Sequence, residues 1–198
     1  MKVIGITGGV GSGKSEVLTY LEREHGASVI KTDDVARELQ KKGTSCHAEI
    51  VKHFGEKILR ESGELDRKAL AHIVFRDKEA LQLLNSLVHP AVKEEVKSKI
   101  EEEKEKGTSL LFIESAILFE DHYDLICDEI WYVFAGEETR ANRLRNSRGY
   151  SDDRIKGLFK SQMSHDEMFE KADRAIDNDE CFEESCRQID EMIAKMDL

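Results

Sequence analysis

The sequence predicts an α/β protein: a five-stranded parallel sheet flanked by helices, with one helical insertion after the second strand and another after the fourth. Three observations predict it. Apolar runs of strand length alternate with segments of helical spacing along the chain, and such alternation winds into a parallel sheet through right-handed crossovers. The run Leu110-Leu111-Phe112-Ile113 is continuously apolar, as a strand buried on both faces is. Residues Gly8 to Ser15 read G-G-V-G-S-G-K-S, a full match to the G-x-x-x-x-G-K-[ST] phosphate-binding loop, which joins a strand to a helix.

The elements follow in order. Val3-Ile4-Gly5-Ile6 marks a first strand over about 2–7. After the loop, Glu16-Val17-Leu18-Thr19-Tyr20-Leu21 has helical spacing up to about 25, where Gly26 is a C-terminal stop. Ala27-Ser28-Val29-Ile30 reads as the second strand. A long helical region over about 33–106 is broken at Gly43, Gly55 and Gly63. Within it Leu81, Leu84, Leu87 and Val88 form one apolar face, and Val92, Val96 and Ile100 form another. Pro90 between them suits the first position of a helix, which puts a helix junction at His89-Pro90. The third strand is 109–113, the fourth 129–134 and a short fifth 174–177. An arginine-rich segment over about 137–172 is expected to hold two helices, and a last helix runs over about 180–196. In one domain, these divide into a discontinuous core (1–35, 107–136 and 173–198), a helical acceptor lobe at 36–106 and a lid at 137–172.

Composition narrows the function. At 198 residues the chain suits one α/β domain with inserted lobes. A net charge of −11 repels nucleic-acid backbones. No apolar stretch approaches the ~18–20 residues that cross a bilayer. The first strand begins within two residues of Met1, leaving no signal peptide, so a cytoplasmic protein is expected. Cys46, Cys127, Cys181 and Cys186 form no C-x-x-C pair and read as reduced structural thiols. The sequence carries no signal for oligomeric state.

The loop names a ligand class. Glycines at 8, 9, 11 and 13 let successive backbone N–H groups converge on an anion, and the following helix adds its positive end. Lys14 reaches the β- and γ-phosphates, and the Ser15 hydroxyl is placed to ligate Mg²⁺. A turn that binds nothing needs neither residue, so the chain is read as a nucleoside triphosphate binder. Asp33 closes the second strand, where a carboxylate can take the proton of an acceptor hydroxyl or hold the metal's water shell. Asp33 or Asp34 can equally cap the next helix; both readings stand. Glu114 ends the third strand, where it can be a solvent-exposed strand end or, the favoured reading, a metal-orienting carboxylate. Arg140 and Arg143, spaced i and i+3, place two guanidinium groups on one helix face for phosphate, with Arg145 and Arg148 nearby. Chemistry alone does not single out His89, which reads as a cap or a packed residue.

At this point the ordered set of residues resembles the dephospho-coenzyme A kinase family, over nearly the whole length. The set comprises Ile6 to Ser15, Thr32-Asp33 with Ala36-Arg37, Leu87-Val88-His89-Pro90 and Ile117-Leu118-Phe119-Glu120. It continues with Thr139 to Leu144, Gln162, and Ala172-Asp173 followed by Ile176-Asp177-Asn178. The resemblance implies a phosphate-binding-loop kinase fold and transfer of the ATP γ-phosphoryl to the ribose 3′-hydroxyl of dephospho-CoA, the last step of coenzyme A synthesis. It implies Asp33 as the base, with Lys14, Arg140 and Arg143 also catalytic. The implied ATP site is Gly8, Gly9, Gly11, Ser12, Gly13, Lys14, Ser15, Glu16, Arg140 and Asn178, the last near adenine. The implied acceptor site is Asp33, Arg37, His89 and Glu120; Mg²⁺ falls to Ser15 and Glu114. Four positions depart from the family pattern: Lys31 for an aspartate, Ala116 for a proline, Ile117 for a leucine, and Ser147 for a lid arginine that Arg148 can replace. Other classes fit less well. A guanine-reading N-K-x-D is absent, and Asp177-Asn178-Asp179 is not one. A nucleotide binder without turnover stands if Asp33 is only a cap.

Overall fold

The computed structural model describes residues 1–196; the expected core segment 173–198 runs two residues beyond that range. The strands are β1 (Lys2–Thr7), β2 (Ser28–Lys31), β3 (Leu110–Glu114), β4 (Glu129–Phe134) and β5 (Arg174–Asp177). They form one sheet in the order β2-β3-β1-β4-β5. β1 lies parallel to β3 (Ile4 opposite Phe112) and to β4 (Ile6 opposite Trp131), and β4 lies parallel to β5 (Val133 opposite Ile176). The helices are α1 (Lys14–His25), α2 (Thr32–Leu39), α3 (Ser45–Phe54), α4 (Arg67–Val74), α5 (Lys78–Glu105), α6 (Glu137–Arg148), α7 (Asp152–Lys160), α8 (His165–Lys171) and α9 (Phe182–Ala194). Two compact units emerge: Met1–Val29 with the chain from Glu103 onward, and Ile30–Glu102.

In the first unit, the central strands bury both faces, which is why their sequences are apolar without alternation. Ile4, Ile6, Phe112, Trp131, Val133 and Ile176 pack with Val17, Leu18 and Leu21 of α1 and Ile189 of α9. The Phe112 and Trp131 rings meet edge to face at 5.2 Å. α1 ends at Gly26, whose φ of 61° is left-handed. This core holds the end of β1 and the start of α1 rigid, and so fixes both ends of the glycine loop.

In the second unit, Pro90 corrects the expected helix junction: it lies inside α5, which is continuous over Lys78–Glu105. An interior proline removes one helix hydrogen bond and crowds the preceding turn, at about 3 kcal/mol. Val88, Val92 and Val96 form one buried face across that position (8, 5 and 0 % exposed). Burying side chains of this kind is worth about 1.5–3 kcal/mol each, enough to outweigh the proline. The segment 137–172 is corrected too, to three helices. Ser164 and Glu167 form a reciprocal capping box that starts α8, a signature visible in the sequence as S-x-x-E. Cys181 is exposed, so it is no packed structural thiol, and all four cysteines are free.

The last turn of α5 carries a pH-sensitive anchor. One Glu103 oxygen accepts hydrogen bonds from Ser28 Oγ at 2.6 Å and Thr108 Oγ1 at 2.7 Å; the other pairs with Lys106 Nζ at 2.7 Å. The Lys106 bond, then those from Ser28 and Thr108, hold the Glu103 carboxyl down at about 2, from an ordinary value of 4.5. A carboxyl whose pKa falls on folding stabilises the protein fully above its unfolded pKa, and that contribution is lost as pH falls toward 2. The urea midpoint of the wild type is therefore expected to drop more between pH 5 and pH 3 than that of Glu103→Gln. Parallel curves would show that the anchor contributes nothing.

Candidate active site

Gly8–Ser15 turns from the end of β1 into α1. Gly13 is the residue before α1 and sits at φ 92°, and Gly11 at φ 83°. Three carbonyls of this loop are each held by a donor. Lys14 Nζ donates to the Gly8 carbonyl at 2.5 Å, and Arg140 Nε to the Val10 carbonyl at 3.0 Å. The Ser12 carbonyl accepts from Asn178 Nδ2 at 2.7 Å and from Arg143 Nη1 at 3.3 Å. The N–H groups of Gly11, Gly13 and Ser15 make no hydrogen bond among the described residues. Unsatisfied N–H donors at a helix start, with their carbonyls held elsewhere, constitute an anion cradle. The Ser12 hydroxyl is buried without a partner in the same loop, where an orphaned polar atom costs about 1–3 kcal/mol until something meets it.

The cradle is braced from elements far away in sequence. Asn178 is 1 % exposed; besides Ser12, its side chain accepts from Ser185 Oγ of α9 at 2.8 Å. Its backbone carbonyl accepts from Arg143 Nη2 at 2.8 Å. The Asn178 side chain is thus engaged under the loop. Gly13 is the glycine this brace requires: a Cβ there would lie 2.1 Å from Asn178 Nδ2. Asp179 accepts from the Gly136 N–H at 2.8 Å, at the start of α6. The Thr139 hydroxyl and that N–H hold its carboxyl below the usual range. The 178–179 turn thereby anchors the helix that carries Arg140 and Arg143. Arg140 also donates to Gln162 Oε1 at 3.0 Å and lies 4.2 Å over the Phe159 ring. Burial pushes its pKa down.

The other arginines separate from this pair. Arg145 makes an exposed ion pair with Asp152 at 2.8 Å. The Ser147 hydroxyl bonds back to the Arg143 carbonyl at 2.6 Å, and Arg148 stands 5.9 Å over the Tyr150 ring.

Asp33 does not close a strand. β2 ends at Lys31, and Asp33 is the second residue of α2. Neither Asp33 nor Asp34 caps that helix, because the residue before it is Lys31 and no side chain caps it. Asp33 is exposed, and its side chain makes no hydrogen bond or ion pair among the described residues. Asp34 pairs with Arg37 at 2.7 Å. His89 is half-buried in the middle of α5, Glu114 half-buried at the end of β3, and Glu16 and Glu120 are exposed.

A family model described as dephospho-CoA kinase matches residues 2–184. The chain belongs to the dephospho-CoA kinase family. It is 39 % identical to a dephospho-CoA kinase of Symbiobacterium thermophilum, over 90 % of this chain and 74 % of that one. It is 38 % identical to one of Geobacter sulfurreducens, over 98 % of both. A crystal structure of TT1252 from Thermus thermophilus superposes with a TM-score of 0.84 at 30 % identity, covering 98 % of this chain and 97 % of that one. Kinase chemistry on a bound nucleotide therefore belongs to the family to which these residues are assigned.

The donor set suits Mg²⁺. No group of three or more His, Cys, Asp or Glu side chains that could hold a metal occurs among the described residues. The exposed Ser15 hydroxyl donates and accepts nothing among them. Mg²⁺ keeps several waters and takes few protein ligands beside substrate phosphates, so one hydroxyl next to the cradle is a fitting share. Among the described residues no helix is long and apolar enough to cross a membrane.

Proposed function

We propose that this protein transfers the γ-phosphoryl of ATP to the ribose 3′-hydroxyl of dephospho-CoA, releasing ADP and coenzyme A. The observation that carries the nucleotide half is the cradle: free N–H groups at the start of α1, with Lys14, Arg140 and Arg143 on the loop carbonyls. The acceptor half rests on family membership.

In this reading the loop N–H groups bind the β-phosphate. Lys14 leaves the Gly8 carbonyl to meet the transferring group, and Arg140 and Arg143 stabilise charge on its equatorial oxygens. Asp33 takes the hydroxyl proton, and its exposed, unengaged carboxylate supports that assignment. Arg37, His89 and Glu120 are proposed to hold the acceptor. Ser15 would hold Mg²⁺, with Glu114 orienting its water shell; the ion supplies charge neutralisation at the β- and γ-phosphates. The segment 137–172 is proposed to act as a lid over the core, and 36–106 as the acceptor lobe. The same proposal places the reaction in the cytoplasm, a setting supported by four free thiols.

Coupled ADP release with Mg-ATP tests it, with dephospho-CoA, AMP and adenosine as separate acceptors. Rapid release with dephospho-CoA alone is expected. Release without an acceptor, or with AMP alone, would leave the nucleotide site standing and overturn the acceptor.

A further inference from the structure

One oxygen closes the bracket around the loop. Gln162 Oε1 accepts the Val10 N–H at 3.1 Å and Arg140 Nη2 at 3.0 Å, while Arg140 Nε donates to the Val10 carbonyl at 3.0 Å. Both backbone polar groups of Val10 are thus tied to one guanidinium–carboxamide pair. The guanidinium is also fixed face-on. Phe159 covers it at 4.2 Å, and a Cβ on Gly9 would lie 2.4 Å from its Cζ. Among the described residues no carboxylate forms an ion pair with Arg140, although the chain carries 41 Asp and Glu. Among the described residues its Nη1 donors meet no acceptor, beside the phosphate loop.

The chemistry of the acceptor atom matters here. A carboxylate at 162 would make the same two hydrogen bonds and hold the guanidinium more tightly, but it would cancel the positive charge. A carboxamide oxygen fixes the position and leaves the charge intact for an incoming phosphate. We propose that Gln162 is a positioning residue for phosphoryl transfer, holding the Arg140 guanidinium against the phosphate loop without neutralising it. This deepens the function proposed above and rests on its assignment of Arg140.

The test compares wild type, Gln162→Glu, Gln162→Met, Arg140→Met and the two double variants, by kcat and KM for ATP with dephospho-CoA and by thermal midpoint. Arg140→Met is expected to lower kcat about 10³-fold, the lower end for a charge-stabilising arginine. Gln162→Glu is expected to lower kcat about 10²-fold while its thermal midpoint matches or exceeds wild type. Gln162→Met is expected to lower kcat about 10-fold, with a lower midpoint from the unmet Val10 N–H. In the Arg140→Met background neither change at 162 is expected to lower kcat further. A purely structural glutamine would give the reverse: kcat tracking the midpoint, and losses that multiply in the double variants. That result, or Gln162→Glu within about threefold of wild type while Arg140→Met is impaired, would overturn the inference. Should Gln162→Glu not fold, the Gln162→Met cycle decides by the same criterion. Full activity of Arg140→Met would instead refute the role given to Arg140 itself.

Discussion

Asp33→Asn is expected to lower kcat with dephospho-CoA by about 10²–10⁴-fold, the usual worth of a positioned general base, with ATP affinity close to wild type. The substitution keeps size and shape at the second position of α2 and removes only proton affinity and charge. The competing view, that Asp33 merely favours the start of its helix, predicts a different result. There the change would cost stability alone, about 0.3–1 kcal/mol from the helix dipole, and leave turnover intact. The structure already excludes capping by side-chain hydrogen bond, because the cap position is Lys31. Calorimetric titration of ATP beside the coupled assay separates the views; wild-type kcat in Asp33→Asn would remove the residue from the mechanism.

Gly13→Ala is expected to abolish measurable ATP binding and to lower the thermal midpoint. The left-handed backbone at φ 92° costs a residue with a Cβ about 1–2 kcal/mol. The new methyl would also stand 2.1 Å from Asn178 Nδ2, so the buried bond to the Ser12 carbonyl must break, at about 1–3 kcal/mol. For a domain of this size the two together lower the midpoint by roughly 4–20 °C. Gly26→Ala is the control. Its φ of 61° carries a similar backbone cost, and nothing lies within 4 Å of the added Cβ. It is expected to lose stability by the backbone share alone and to keep its activity. Equal midpoints in the two variants, or wild-type ATP affinity in Gly13→Ala, would show that the Asn178 brace does not shape the loop.

Both predictions depend on which features were local. The loop could be read from sequence because its chemistry lies within eight consecutive residues, Gly8–Ser15, between an apolar run of strand length and one with helical spacing. The brace could not be read this way. Arg140 to Val10 and Asn178 to Ser12 join residues 130 and 166 positions apart, and no spacing rule connects them. Gln162 was visible only as part of a family pattern, without a role. The arginine pair was expected to face phosphate from one side of a helix; in the structure the same i, i+3 spacing delivers both groups to loop carbonyls. The third helix of 137–172 differs, since the Ser164–Glu167 capping box was available in the sequence.

By itself, then, the sequence determined the alternation of strands and helices, the buried central strands, the anion-binding loop and the class of its ligand. These rest on local periodicity and on residue types whose conformational or chemical preferences act within a few positions. The tertiary structure decided what depends on partners brought from a distance. It ran α5 through Pro90, because a continuous buried valine face outweighs one lost helix hydrogen bond. It set the strand order β2-β3-β1-β4-β5, and it turned Asn178 away from solvent to hold the loop. A buried polar group must find its partner wherever the fold supplies one, and that requirement leaves no trace in the spacing of neighbouring residues.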